Sequence, residues 1–178
     1  MTTPAPRWAR VVAHVIPLTT LPSGLWRICI ALGLSLGMLE DGEPFRVSAA
    51  EGAYLITLSV AIEALALLGL GLVRPWGERV PRWLPRIGGR PIPPKPVIAV
   101  AGTGALLATA VAVMFFVPGN SIADVEATEA GLVVVVACYA PLLLWGPLLA
   151  LLTYAYHRRR RLDDAGRDGE PRRGLEHA

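Results

Sequence analysis

Two residues of this sequence carry charge where charge is costly to keep. Arg27 lies in the apolar run 18–39 and Glu63 in the apolar run 53–73. An ionisable side chain at membrane depth faces a protein interior or a polar pathway, so these two are the first candidates for a functional role. If the helical spans end near Met38 and Gly52, each residue is 11 positions inside its span, about 16 Å deep at the α-helical rise. Consecutive helices on a short loop are antiparallel neighbours. The planar fork of Arg27 suits a carboxylate, so an Arg27–Glu63 intramembrane pair is expected. Ser59, one turn before Glu63, is placed to line the same face. As a pair the two should be energetically coupled, and loss of Glu63 should harm folding more than loss of Arg27. The competing readings are a structural pin between two helices and an arginine that snorkels toward the interface.

The surrounding composition sets the class. The chain has 178 residues, 53% of them hydrophobic, and a mean hydropathy of +0.49. Charged residues make up 17%, below the roughly one quarter of a soluble domain. They crowd into short segments between apolar runs, as in a membrane protein with short loops. The expected fold class is an all-α polytopic membrane protein, a four-transmembrane-helix bundle. Its spans are expected at about 18–39, 52–73, 97–117 and 131–156, with a basic loop at 74–96 and a disordered charged tail at 162–178. Backbone amides in lipid need internal partners, and these runs are too long and too continuously apolar for barrel strands. The first run, from Val11 to Leu39, would be about 44 Å long as one helix. Pro17, Pro22 and Gly24 are expected to bend or break it, with 11–16 as a lead-in. The run continues past a signal-peptide core, so the first span is expected to be retained.

Orientation follows from the basic residues. Fifteen of the 17 lie in the N-terminal segment, the 74–96 loop and the C-terminal tail. The other two connections hold only Arg46, together with seven carboxylates. The positive-inside rule puts both termini and the 74–96 loop in the cytoplasm, at the plasma membrane. A pI near 9.2 invites a nucleic-acid reading. The basic residues flank membrane spans instead, so no nucleic acid is expected as a partner.

The 74–96 loop reads RPWGERVPRWLPRIGGRPIPPKP. Trp suits the headgroup level and Arg meets lipid phosphate. Arg74, Trp76, Arg79, Arg82, Trp83, Arg86 and Arg90 are therefore the expected contacts to anionic headgroups. The loop has no P-loop and no G-x-G-x-x-G. Cys29 and Cys138 form no C-x-x-C and read as small apolar fillers, with a cross-helix disulfide left open. His14 and His157 lie near the same boundary, too poor a set for haem. No metal and no cofactor is expected. Gly33 and Gly37 form a G-x-x-x-G. Gly104, Ala108 and Ala112 repeat at the same spacing, as do Ala53, Thr57 and Ala61. Ordinary helix packing explains these, with a homo-oligomer as the alternative. Pro141 and Gly146-Pro147 should kink the fourth span.

The runs LPSGLWRICIALG and RPWGERVPRWLPRIGGRPIPP resemble a group of uncharacterised integral membrane proteins of actinobacteria. The matching positions are Trp26, Arg27 and Gly33, then Trp76, Gly77, Glu78, Pro81, Arg82, Trp83, Pro85, Gly88, Gly89, Arg90, Pro93 and Pro94. The resemblance implies a four-span fold with a cytoplasmic Arg/Trp/Pro-rich loop and brings no activity. The expected function is a non-enzymatic accessory or transport-related membrane component, with a homo-oligomer or an unknown membrane protein as its partner. The alternative is a membrane-embedded enzyme acting on a lipid. No nucleophile–base pair or metal cluster is readable that would favour it.

Overall fold

The apolar runs become helices, but their ends fall where local backbone chemistry puts them. The computed structural model describes residues 5–74, 77, 92–117 and 126–168. Helix α1 is Arg7–Ala31, followed by a two-stranded hairpin of β1 Leu39–Glu40 and β2 Glu43–Pro44. Helix α2 is Ala49–Leu68 and runs into a 3-10 turn, Gly69–Leu72. Then come α3 Pro94–Met114, α4 Glu129–Tyr139 and α5 Leu142–Asp168. The chain is therefore essentially all-α. Three stretches are long and apolar enough to cross a membrane: Ala49–Leu72, Pro94–Met114 and the α4–α5 unit Glu129–Asp163.

Helix α1 departs most from expectation. It runs unbroken through Pro17 and Pro22 and stops at Ala31, well before the expected end of its span at 39. Within the proline stretch the hydroxyls of Thr19 and Ser23 donate to Ile16 O and Thr20 O, at 2.7 and 2.9 Å. The stop is a Schellman motif: the Gly33 amide donates to Ile30 O and the Leu34 amide to Cys29 O. Gly33 has φ +89°, where a glycine carries no Cβ penalty. Gly33 and Gly37 are thus not a helix-packing motif.

Residues after Gly33 build the hairpin instead. Asp41 and Gly42, at φ 51° and 81°, form the two-residue turn that an Asp-Gly pair favours. The hairpin is tied to the segment before α4. The Leu39 amide donates to Glu126 O and the Thr128 amide to Gly37 O, both at 2.8 Å. A β-carbon on Gly37 would stand 2.8 Å from Gly131 Cα, so both glycines serve this close approach.

The remaining helices carry their own start and stop signals. Ser48 and Glu51 form a reciprocal capping box at the start of α2. Thr128 caps α4 through the Gly131 amide at 3.1 Å. Pro94 opens α3 at a position where its missing amide costs nothing. The expected kink at Pro141 is present as the break between α4 and α5, whereas Pro147 is accommodated inside α5. Helix α5 carries Arg158–Arg161 and continues to Asp168, so residues 162–168 are helical rather than part of a disordered tail.

Helix α1 is the centre of the packing. Its buried face reads Ala9, Ala13, Ile16, Thr20, Ser23, Arg27 and Ile30, alternating steps of four and three. That spacing keeps one stripe facing its neighbours along the whole helix. Helix α2 packs on one side of α1 and α5 on the other, and α3 packs on α5. Antiparallel register with α2 is fixed by close pairs: Ala31 against Gly52, and Gly24 against Ser59. One apolar core, around Ile16, Leu152 and Tyr156, lies toward the end carrying Arg7, Arg10 and Arg158–Arg161. The other, around Ile30, Val135 and Tyr139, lies toward the hairpin.

Candidate functional site

Arg27 projects from the central stripe of α1, and helical side chains lean toward the helix N-terminus. It therefore reaches toward Ser59 on α2. Its Nε donates to Ser59 Oγ at 3.0 Å, and Ser59 in turn donates to Leu55 O at 2.8 Å. Nη1 donates to Tyr139 Oη at 3.4 Å, and the guanidinium carbon lies 5.8 Å from the centre of that ring. Tyr139 is held by Trp26 edge-on at 5.5 Å and by Phe115 at 5.2 Å between ring centres. Arg27 is only 5% exposed, and its Nη2 has no hydrogen-bond partner among the described residues. Trp26 Nε1 and Trp145 Nε1 are likewise buried without an acceptor among them.

Glu63 is held elsewhere. Its Oε2 accepts from Thr20 Oγ1 at 2.7 Å, two turns back along the α1 stripe from Arg27. The same hydroxyl lies 2.9 Å from Pro17 O. The structure brings Arg27 and Glu63 into the same helix pair but does not join them, which corrects the expected ion pair. The cause is the end of α1. The pairing assumed a helix reaching Met38, whereas Ala31 is the residue level with Gly52. That seven-residue difference moves Arg27 by about 10 Å relative to Glu63. Ser59 is the acceptor for Arg27 Nε.

Because each charged group has its own partners, Arg27→Gln and Glu63→Gln should be additive in thermal unfolding, within about 0.5 kcal/mol. A coupling energy well above about 1 kcal/mol would return the two side chains to direct contact.

Arg27 also lines a groove. Helices α2 and α3 stand on either side of a cleft of about 870 Å³ whose floor includes Leu142, Trp145 and Leu149 of α5. Leu58, Ile62 and Leu65 form one wall, and Val100, Leu107 and Val111 belong to the other. Among the described residues, Arg27 is the one charged residue on this lining.

At the opposite end, Tyr156 is 1% exposed and meets two guanidinium groups, Arg159 at 5.7 Å and Arg160 at 5.5 Å from its ring centre. Arg160 Nε donates to the Tyr156 hydroxyl at 3.1 Å and its Nη2 to Ile92 O at 3.1 Å. Arg159 Nη2 donates to Leu72 O at 3.3 Å. These residues bind Leu72, just before the 74–96 loop, and Ile92, near the end of that loop, to α5.

Of the expected headgroup contacts, Arg74 is exposed at the end of the 3-10 turn. Trp76, Arg79, Arg82, Trp83, Arg86 and Arg90 lie outside the described residues. Both cysteines are free thiols. Among the described residues, no group of three or more His, Cys, Asp or Glu side chains is placed to hold a metal ion. Sequence reasoning missed Thr20, Tyr139 and Trp145. Thr20 had a signal, the four-and-three spacing it shares with Arg27. Tyr139 and Trp145 had none, because their roles depend on how α4 and α5 pack.

No protein-family model matches the chain, and neither a curated protein nor a solved structure matches it.

Proposed function

We propose that the chain is a multi-pass protein of the plasma membrane, belonging with the actinobacterial group it resembles. In this reading it acts as a non-enzymatic accessory or transport-related component. The observation that carries the proposal is the placement of polarity. Helices α2, α3 and the α4–α5 unit turn many large apolar side chains outward, among them Val60, Leu65, Val100, Leu106 and Leu144. The polar residues Thr20, Ser23 and Arg27 are turned inward on α1. In water this distribution is unfavourable, and in lipid it is the favourable one. Helix α1 is then a fourth span, sheltered by α2 and α5. The polar side chains inside bind one another and the backbone, an arrangement suited to holding a structure or a ligand.

The end that carries Arg7, Arg10, Arg74, Lys95 and Arg158–Arg161 is assigned to the cytoplasm by its basic residues, with both termini on that side. The 74–96 loop then lies against anionic headgroups. The test uses single cysteines in a background lacking Cys29 and Cys138. Glu43→Cys, in the hairpin, should react with an impermeant thiol reagent added to intact cells. Gly88→Cys should react only after the cells are opened. Strong labelling of Gly88→Cys from outside would reverse the orientation, and equal labelling of both from one side would remove the membrane crossing between them.

A further inference from the structure

We propose that the groove between α2 and α3 holds one anionic phospholipid, with an acyl chain along α3 and the phosphate between Arg74 and Lys95. The proposal rests on the membrane reading above and narrows it from general headgroup attraction to one lipid site. The two are measured separately, so either can fail alone.

The walls suit a hydrocarbon chain. Helix α2 packs on α1 and α3 on α5, which leaves the cleft of about 870 Å³ between them. That is the volume of a small-molecule site. Among the described residues its lining is apolar apart from Arg27, whose donors are buried. The small residues Ala101, Gly104, Ala108 and Ala112 keep the α3 wall low. From Val97 to Val111 that wall runs for 14 residues, about 21 Å. The acyl chains of one leaflet reach about 15 Å, half the hydrocarbon core, and fit within it. An empty cleft would leave its lining without contacts on one side. In a bilayer the apolar group at hand to fill it is a lipid chain.

The two ends set the direction of the lipid. At the hairpin end the lining finishes at Phe115 and Leu142. The segments there carry Glu40, Asp41, Glu43, Glu126 and Glu129, which repel an anion. At the other end the lining is Gly71, Leu72, Gly77, Ile92 and Pro96. Arg74 and Lys95 belong to these two segments, one following the α2 wall and one opening the α3 wall, and both are exposed. The Arg74 carbonyl accepts from the Gly77 amide at 3.1 Å, which ties Arg74 to the lining. Lys95 precedes Pro96 in the first turn of α3. Among the described residues of these segments none is acidic. The 74–96 loop as a whole has six basic residues against one acid, Glu78. Both cations stand at the ends of spans, the level of lipid phosphates. A choline headgroup would bring a positive charge to the same place, so the site selects an anionic headgroup.

The test is quenching of tryptophan fluorescence in the purified full-length protein, in neutral detergent, by phosphatidylglycerol with brominated acyl chains. Trp145 on the groove floor reports occupancy, and Trp145→Phe should remove the saturable part of the quenching. Brominated phosphatidylcholine should bind at least about tenfold more weakly. Arg74→Gln combined with Lys95→Gln, both at exposed positions, should bring the two lipids to equal affinity. Ala108→Phe, which fills the groove and leaves both cations in place, should weaken both lipids at least about tenfold. Equal affinity of the two lipids for the parent would overturn the assignment of the head group. Unchanged binding by Ala108→Phe would overturn the groove as the site. A dimer in detergent that Ala108→Phe converts to monomer, without saturable quenching, would give the groove to a second copy of the chain and overturn the lipid. Cysteine labelling that shows no crossing would overturn the membrane reading whatever lipid binds. Labelling as expected with no saturable quenching would overturn the lipid site alone.

Discussion

Gly146→Leu should fail to give a stable bundle. Gly146 of α5 faces Ala105 and Thr109 of α3. A β-carbon there would overlap Thr109 Oγ1 and stand 2.7 Å from Ala105 O and 2.8 Å from Thr109 N. Two of these three atoms are backbone and cannot rotate away. The third, the Thr109 hydroxyl, donates to Ala105 O at 2.8 Å and would lose that bond on moving. The helices must therefore separate along the contact that joins α3 to the rest of the molecule. In lipid there is no hydrophobic force to bring them back, because association depends on close van der Waals packing. Overpacking costs typically about 1–3 kcal/mol and occasionally more, and a branched side chain against backbone belongs at or above the upper end. The check is the melting temperature in detergent, beside Gly102→Leu as control. Gly102 lies on the same helix pair, with nothing within 4 Å of the place a β-carbon would take, and should tolerate the change. Equal melting of the two variants would refute the α3–α5 contact.

The apolar helices were legible in the sequence because length and continuity of hydrophobic residues constrain them directly. The expected spans 52–73 and 97–117 differ from Ala49–Leu72 and Pro94–Met114 by only a few residues. The end of α1 was harder. Gly33 and Gly37 have the spacing of a helix-packing motif, and a glycine serves a close helix contact and a left-handed turn equally well. Only the backbone angles separate the two. The Asp41-Gly42 pair and the Ser48-x-x-Glu51 box were readable signals for the hairpin and for the start of α2. The same ambiguity propagated into the site. Arg27 and Glu63 stood out as buried charges, but a pairing inferred from depth requires a register, and the register depends on where α1 stops. Pro17 and Pro22 misled in the other direction, because α1 runs unbroken through both although each removes one helical amide.

The Arg158–Arg161 run shows how one feature can serve two purposes, and Tyr156→Ala is expected to expose the second. As a topology signal the run needs only positive charge. In the fold it needs the guanidinium shape. Tyr156 is packed with Ile16 and Leu152 in the core at the basic end and sits between Arg159 and Arg160. The two arginines also hold Leu72 O, just before the 74–96 loop, and Ile92 O, near its end. Truncating a buried aromatic residue costs about 3–5 kcal/mol through lost packing and the remaining cavity. Here both cation–π contacts and the Arg160 bond to the hydroxyl go with it. Tyr156→Phe keeps the ring and the packing and should lose only about 1 kcal/mol, the net worth of one hydrogen bond. Arg160→Lys preserves the charge but cannot bind Tyr156 Oη and Ile92 O through a fixed fork. It should therefore keep the same membrane orientation in cysteine labelling while melting lower than the parent. Thermal unfolding of the three variants, with labelling of Glu43→Cys in each, measures both properties. If Phe destabilises as much as Ala, the hydroxyl rather than the packed ring holds this end together. If Arg160→Lys melts with the parent, the arginine run acts through charge alone.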